Sequence, residues 1–126
     1  MRQRIESNPA SLWAECSKGV QVGQAIYLSG QVGSDDDGTL AGDDIRSQAK
    51  KSLENIERLL EVAGATLHDI VHLTLYFTDP ANAAGYFEVA AEFFPEDPPA
   101  ATAVVVMALL SPRLLIEIQA TAIKGA

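Results

Sequence analysis

The sequence predicts an α+β fold, a mixed β-sheet of about five main strands with two helices on one face. Three features carry that expectation. Apolar side chains alternate with polar ones from Ile70 to Phe77, and they recur every three to four residues from Ile45 to Ala63 and from Ala84 to Phe94. The segments run strand, strand, helix, strand, helix, strand, strand, which brings both helices to one side of a single sheet. A chain of 126 residues, 48% hydrophobic and 21% charged, has the balance of one globular domain spanning 1–126, with no room for a second core.

In chain order, Lys18 to Ser29 reads as two short strands about a Gly23-Gln24 corner, where glycine supplies the positive φ of a primed hairpin turn. Ser29-Gly30-Gln31-Val32-Gly33 ends the second strand and opens a polar loop, Ser34 to Gly42. The run Asp35-Asp36-Asp37 lacks the spaced ligands and closing glutamate of a calcium loop and reads as a solvated turn. Asp43-Asp44 caps a first helix with the stripe Ile45, Ala49, Leu53, Ile56, Leu60 and Ala63, ended by Gly64 in the left-handed exit position. In the strand from Ile70, the residues Val71, Leu73, Leu75 and Phe77 share one face, and His72, Thr74 and Tyr76 the other. Asp79-Pro80 opens a second helix, whose stripe is Ala84, Phe87, Ala91 and Phe94 and which Pro95 closes. Two strands follow, Thr102 to Ala108 and Leu114 to Ile123, joined by Ser111-Pro112-Arg113.

Composition narrows the function. Seventeen acidic against nine basic side chains give a net charge of −8, a surface that repels nucleic acid and anionic membranes alike. The nearly apolar stretch Ala100–Leu110 is about half of what a bilayer crossing needs. No apolar core or cleavage site follows the basic start of the chain, so the expected location is cytoplasmic. A single cysteine, Cys16, excludes an internal disulfide. No metal or cofactor is expected, because His68 and His72 straddle a connector–strand junction with no third ligand in view. Val104-Val105-Val106-Met107 is apolar on both sides, while two helices cover only one face of a sheet. The missing cover is expected to be a second copy of the chain, with ligand clefts between copies.

Four blocks then give the chain a family likeness. They are Gly19-Val20-Gln21-Val22-Gly23-Gln24 with Leu28-Ser29-Gly30-Gln31, and Gln48-Ala49 with Leu53-Glu54-Asn55-Ile56 and Ala63-Gly64-Ala65. The third is Asp69-Ile70-Val71 with Thr74, Tyr76-Phe77-Thr78-Asp79 and Phe93-Phe94; the fourth is Pro99-Ala100 with Ile116-Glu117-Ile118-Gln119-Ala120. In order and spacing these resemble the YjgF/RidA family of reactive-intermediate deaminases, also known as endoribonuclease L-PSP. The resemblance implies a chorismate-mutase-like fold and a homotrimer whose sheets pack into a central barrel, with sites at the subunit clefts. It also implies hydrolysis of enamines and imines such as 2-aminoacrylate to 2-keto acids and ammonia. Such chemistry needs an arginine to hold the substrate carboxylate and an acid to place water on the imine carbon.

Both residues depart from the family pattern. Ala101 follows Pro99-Ala100 where the family has arginine, and Gln119 stands at the position read as the family glutamate. Cys16 replaces an aromatic, with Trp13 upstream as its substitute, and Phe87 aligns with an asparagine; Ser29 matches. Losing an arginine and a glutamate together strands no charge, so a neutral pocket is expected. Ser29 and Gln119 would donate and accept hydrogen bonds there, walled by Trp13, Cys16, Phe87, Ala101 and Ala103. Glu117, on the same strand face as Gln119, is the alternative acid, and Arg113 is the spare cation. Cys16 reads as a passive small side chain, His72 as an interface residue and His68 as solvated. The expected function is a Rid-type homotrimer binding a small organic ligand and lacking ordinary 2-iminoacid deaminase activity. The alternatives are a variant imine hydrolase acting on a larger or neutral substrate and a non-catalytic regulatory trimer.

Overall fold

The computed structural model describes residues 1–5 and 16–126. Its strands are β1 (Arg2–Ile5), β2 (Gly19–Val22), β3 (Ala25–Leu28), β4 (Gln31–Val32), β5 (Ile70–Phe77), β6 (Ala100–Val105) and β7 (Ile116–Ile123). Helix α1 (Ile45–Val62) lies between β4 and β5 in the chain, and α2 (Ala83–Phe93) between β5 and β6. One sheet runs β1-β2-β3-β7-β5-β6, with β4 also on β7. Among the described strands only β5 and β6 are parallel, and α2 is the crossover that a parallel pair requires.

Local chemistry explains the boundaries. The Asp44 carboxylate accepts from the Ser47 amide at 3.1 Å and from the Ser47 hydroxyl at 2.7 Å, which starts α1. Gly64, at φ 77°, ends it as the sequence predicts, and Gly23, at φ 61°, turns the β2–β3 hairpin. One core joins the inner sheet face (Ile26, Leu28, Leu73, Leu75, Phe77, Ile118 and Ala122) to Leu53, Ile56, Leu59 and Leu60 of α1 and Tyr86 and Val89 of α2. Both helices therefore cover the same face.

Five details differ from the sequence reading, the first being that the strand expected over Thr102–Ala108 runs Ala100–Val105, where it pairs with β5. Arg2–Ile5 is a strand whose last residue, Ile5, is buried beside Gly19; four residues with two arginines carry too little pattern to announce it. Gln31–Val32 is also a strand rather than the start of the loop, because its partner Glu117–Ile118 lies far away in sequence. In β5, Ile70 is buried and Val71 is turned out, since a register shift between Ile70 and His72 reverses the alternation there. Helix α2 buries Gly85, Tyr86, Val89 and Ala90, leaving Phe87 52% exposed. Its sequence is apolar nearly all round, and the register is chosen by Gly85, where a Cβ would stand 2.6 Å from Cγ2 of Ile45 on α1.

Among the described residues, no segment covers the outer sheet face. Val22, Tyr27, Ile123 and Val104 stand on it, and every residue of the edge strand β6 is exposed.

Candidate functional site

The site forms where the sheet is interrupted. Strand β3 pairs with β7 at Thr121–Ile123 and β4 pairs with it at Glu117–Ile118, so the chain leaves β7 between them at Ser29-Gly30. This break opens a cavity of about 300 Å³. It is lined by Ser29, Gly30 and Glu117 at the break, by Cys16, Lys18 and Asn55, and by Ser34, Asp35, Asp36 and Gly38 of the following loop with Leu110 and Leu114.

Gly30 explains why Glu117 enters. A methyl group on Gly30 would overlap the Glu117 carboxylate, standing 2.7 Å from its Cδ and 3.0 Å from its Cγ. The carboxylate fills the space that a side chain at position 30 would take. It is partly buried, and burial alone pushes its pKa above the ordinary carboxylate value. No cation among the described residues pairs with it. A carboxyl group that is partly desolvated, open to a cavity and free of a cation among the described residues is placed to accept and return a proton.

The neighbouring groups are held in place. The Ser29 hydroxyl donates to the Ser17 carbonyl at 2.7 Å, and the Ser29 amide donates to the Lys18 carbonyl at 2.9 Å. With its proton committed, this hydroxyl can only accept from a ligand. Lys18 is paired with Asp36, and Lys51 of α1 reaches Asp35 at 2.8 Å, so both lysines tie the 34–38 loop down. Asn55, buried on α1, donates through Nδ2 to the Val32 carbonyl at 3.1 Å and the Ser34 carbonyl at 2.9 Å. Its Oδ1 has no partner among the described residues. Gln48 fixes the far side: its amide donates to the carbonyls of Gly42 and Arg113, both at 3.0 Å, and accepts from the Leu115 amide at 2.8 Å.

The residues expected from the sequence are divided by this geometry. Ser29 and Cys16 line the cavity. Gln119 does not; it is exposed on the outer face of β7, level with Thr74 of β5. Glu117, two residues earlier, lines the cavity together with Asp35 and Asp36, so the cavity within the single chain is a charged one. Ala101 and Ala103 lie exposed on the edge strand β6, and Phe87 is exposed on α2, all three away from the cavity walls. Trp13 lies outside the described residues. Arg113 does not reach the cavity and pairs with Asp43 at the surface. His72 stands on the outer sheet face, its Nε2 3.3 Å from the Thr102 hydroxyl, and His68 is exposed. Among the described residues no three His, Cys, Asp or Glu side chains cluster to hold a metal. Asn55, Leu110 and Leu114 come to the site from distant segments, and the only sequence sign of them is Asn55 as a polar residue on the apolar stripe of α1.

Comparison with known proteins agrees with the fold. The profile of the family described as Endoribonuclease L-PSP matches residues 6–124. A RutC family protein of Pyrococcus abyssi is 40% identical over 109 residues, 86% of this chain and 85% of that protein. Among solved structures, the chain resembles a member of the YjgF/YER057c/UK114 family from Mycobacterium tuberculosis, with a TM-score of 0.85 and 35% identity over 98% of this chain and 99% of that one. It also resembles RidA from an Antarctic Psychrobacter, with a TM-score of 0.87 and 32% identity over 96% and 98% of the two chains. The chain belongs to the YjgF/RidA, or endoribonuclease L-PSP, family.

Proposed function

We propose that this protein is a Rid-type hydrolase of imines or enamines, with Glu117 as its proton-transferring group. The observation that carries the reading is the Glu117 carboxylate, partly desolvated and without a cation among the described residues, lining a cavity with Ser29. With a protonated imine bound, a water oxygen bonds to the imine carbon as its proton passes to Glu117, and the C=N π electrons move to nitrogen. Glu117 returns that proton to the amino nitrogen of the carbinolamine. The C–N bond breaks with its electron pair leaving on nitrogen as ammonia, the hydroxyl proton passes to Glu117 as the carbonyl forms, and Glu117 gives that proton to the ammonia, which departs as ammonium.

Ala101 bears on the substrate. The position that the family resemblance assigns to a carboxylate-holding arginine carries a methyl group here, which argues against ordinary 2-iminoacid deaminase activity. The protein acts as a homotrimer of single-domain subunits, in the cytoplasm. Its outer sheet face and the exposed β6 edge support that assembly, with Ala101, Ala103 and Phe87 facing a neighbouring copy's cavity across the cleft. The negative charge of −8 argues against RNA as the substrate.

The test follows the disappearance of imines made in situ by an amine oxidase, using semicarbazide to trap what remains. Wild-type protein is expected to shorten imine lifetime, and Glu117→Gln to lower the rate by about two to four powers of ten. An unchanged rate in the folded variant would remove Glu117 from the mechanism.

A further inference from the structure

The charged groups around the cavity are mismatched in one direction. Ser29 has committed its proton to Ser17 and can only accept. Glu117 can only accept while ionised, and no cation among the described residues answers it. Asn55 has committed its Nδ2 to two carbonyls and is left with a buried, unpartnered Oδ1. The one cation among the described residues lining the cavity, Lys18, is paired with Asp36. Among the described residues that line the cavity, the carboxylates of Asp35, Asp36 and Glu117 outnumber the lysine, Lys18. Val32, Leu110, Leu114 and Cys16 give the lining an apolar part beside these groups.

We infer that the ligand is an iminium or ammonium compound with an apolar body and no carboxylate, its N–H groups meeting Glu117 and Ser29 and its hydrocarbon part lying against Leu110 and Leu114. This inference rests on the proposed hydrolase reading for the iminium as substrate, but the recognition it describes stands apart from turnover. A substrate carboxylate would enter facing Glu117, Asp35 and Asp36, with Lys18 and Lys51 already paired. Like charges in a partly desolvated cleft disfavour it, and N–H groups answer acceptors that otherwise stay unpaired.

Two ligand pairs with the same hydrocarbon body test this. For binding, 2-phenylethylammonium and 3-phenylpropanoate are titrated into the full chain by calorimetry. For turnover, the imine made from 2-phenylethylamine by an amine oxidase is compared with the imine made from phenylalanine by an amino-acid oxidase. The ammonium is expected to bind at least tenfold more tightly than the carboxylate, and Glu117→Gln to weaken it by a similar factor. The carboxylate-free imine is expected to be hydrolysed at least tenfold faster. Equal or preferred binding of 3-phenylpropanoate, or a faster reaction of the phenylalanine imine, overturns the inference while leaving the hydrolase reading intact. Selective ammonium binding with neither imine hydrolysed supports the inference and overturns the hydrolase reading. Failure of both ligands to bind overturns the inference.

Discussion

Gly30→Ala separates the site from the fold more cleanly than any other single change. Position 30 does not require the left-handed region, since Gly23, Gly38, Gly64 and Gly125 are the described glycines with positive φ. Alanine therefore fits the backbone, and the nearest atoms its methyl group would meet all belong to the Glu117 side chain. Ordinary van der Waals contact begins at 3.4 Å, and Cδ would lie at 2.7 Å. The carboxyl carbon must retreat by about 0.7 Å and its nearer oxygen farther, which approaches the ~1 Å displacement that can lower a rate about a hundredfold. The obstacle is the far end of a flexible side chain, so the cost to folding is small, roughly 0.5 kcal/mol or less. Initial rates of imine hydrolysis and thermal melts by circular dichroism read the two effects separately. The expected result is a rate lower by about ten- to a hundredfold at a melting temperature within about 3 °C of wild type. A variant that keeps full activity would show that the placement of Glu117 by Gly30 is irrelevant to the chemistry. One that melts far lower would show that Gly30 serves the fold.

Glu117 also sets a pH dependence. Its pKa is raised in the folded chain, so the stability linked to it is fully present below the ordinary carboxylate value and is lost as pH rises through the raised value. Glu117→Gln is expected to melt higher than wild type at pH 8, with the gap closing at pH 4; a gap that widens toward acid would contradict the cause assigned to the shift. Gln48→Leu would leave the Gly42 and Arg113 carbonyls and the Leu115 amide without their partner. Chemical denaturation should show a loss of about 2–4 kcal/mol, part of it recovered by water at the exposed loop positions. Val105→Lys places a charge on the exposed β6 edge, at a residue 54% accessible in the single chain. Sedimentation should show smaller assemblies with the fold intact, and an unchanged sedimentation coefficient would move the contact elsewhere.

Much of the fold was legible in the sequence because its signals are local. Asp44, the apolar stripe of α1 and Gly64 delimit that helix from within one stretch of chain, and Gly23 turns the hairpin it belongs to. The stripe of α2 was less so, because a sequence apolar nearly all round leaves the register to the helix it packs on, through Gly85 and Ile45. The candidate acid shows the same limit more sharply. Period-two alternation puts Glu117 and Gln119 on one strand face and cannot rank them. What ranks them is the pairing of β7, with β4 at Glu117 and with β3 beyond Gln119, and the missing side chain at Gly30 that gives the carboxylate its space.

The amino-acid order alone therefore determined the layered sheet-and-helix architecture, the family and the alanine where an arginine is the rule, since each is written in neighbouring residues. Tertiary structure alone decided which carboxylate enters the cavity, that Lys18 is neutralised by Asp36, and that Asn55 reaches the site with an acceptor to spare. Those outcomes depend on segments tens of residues apart meeting at a break in a sheet, and no periodicity within either segment encodes the meeting.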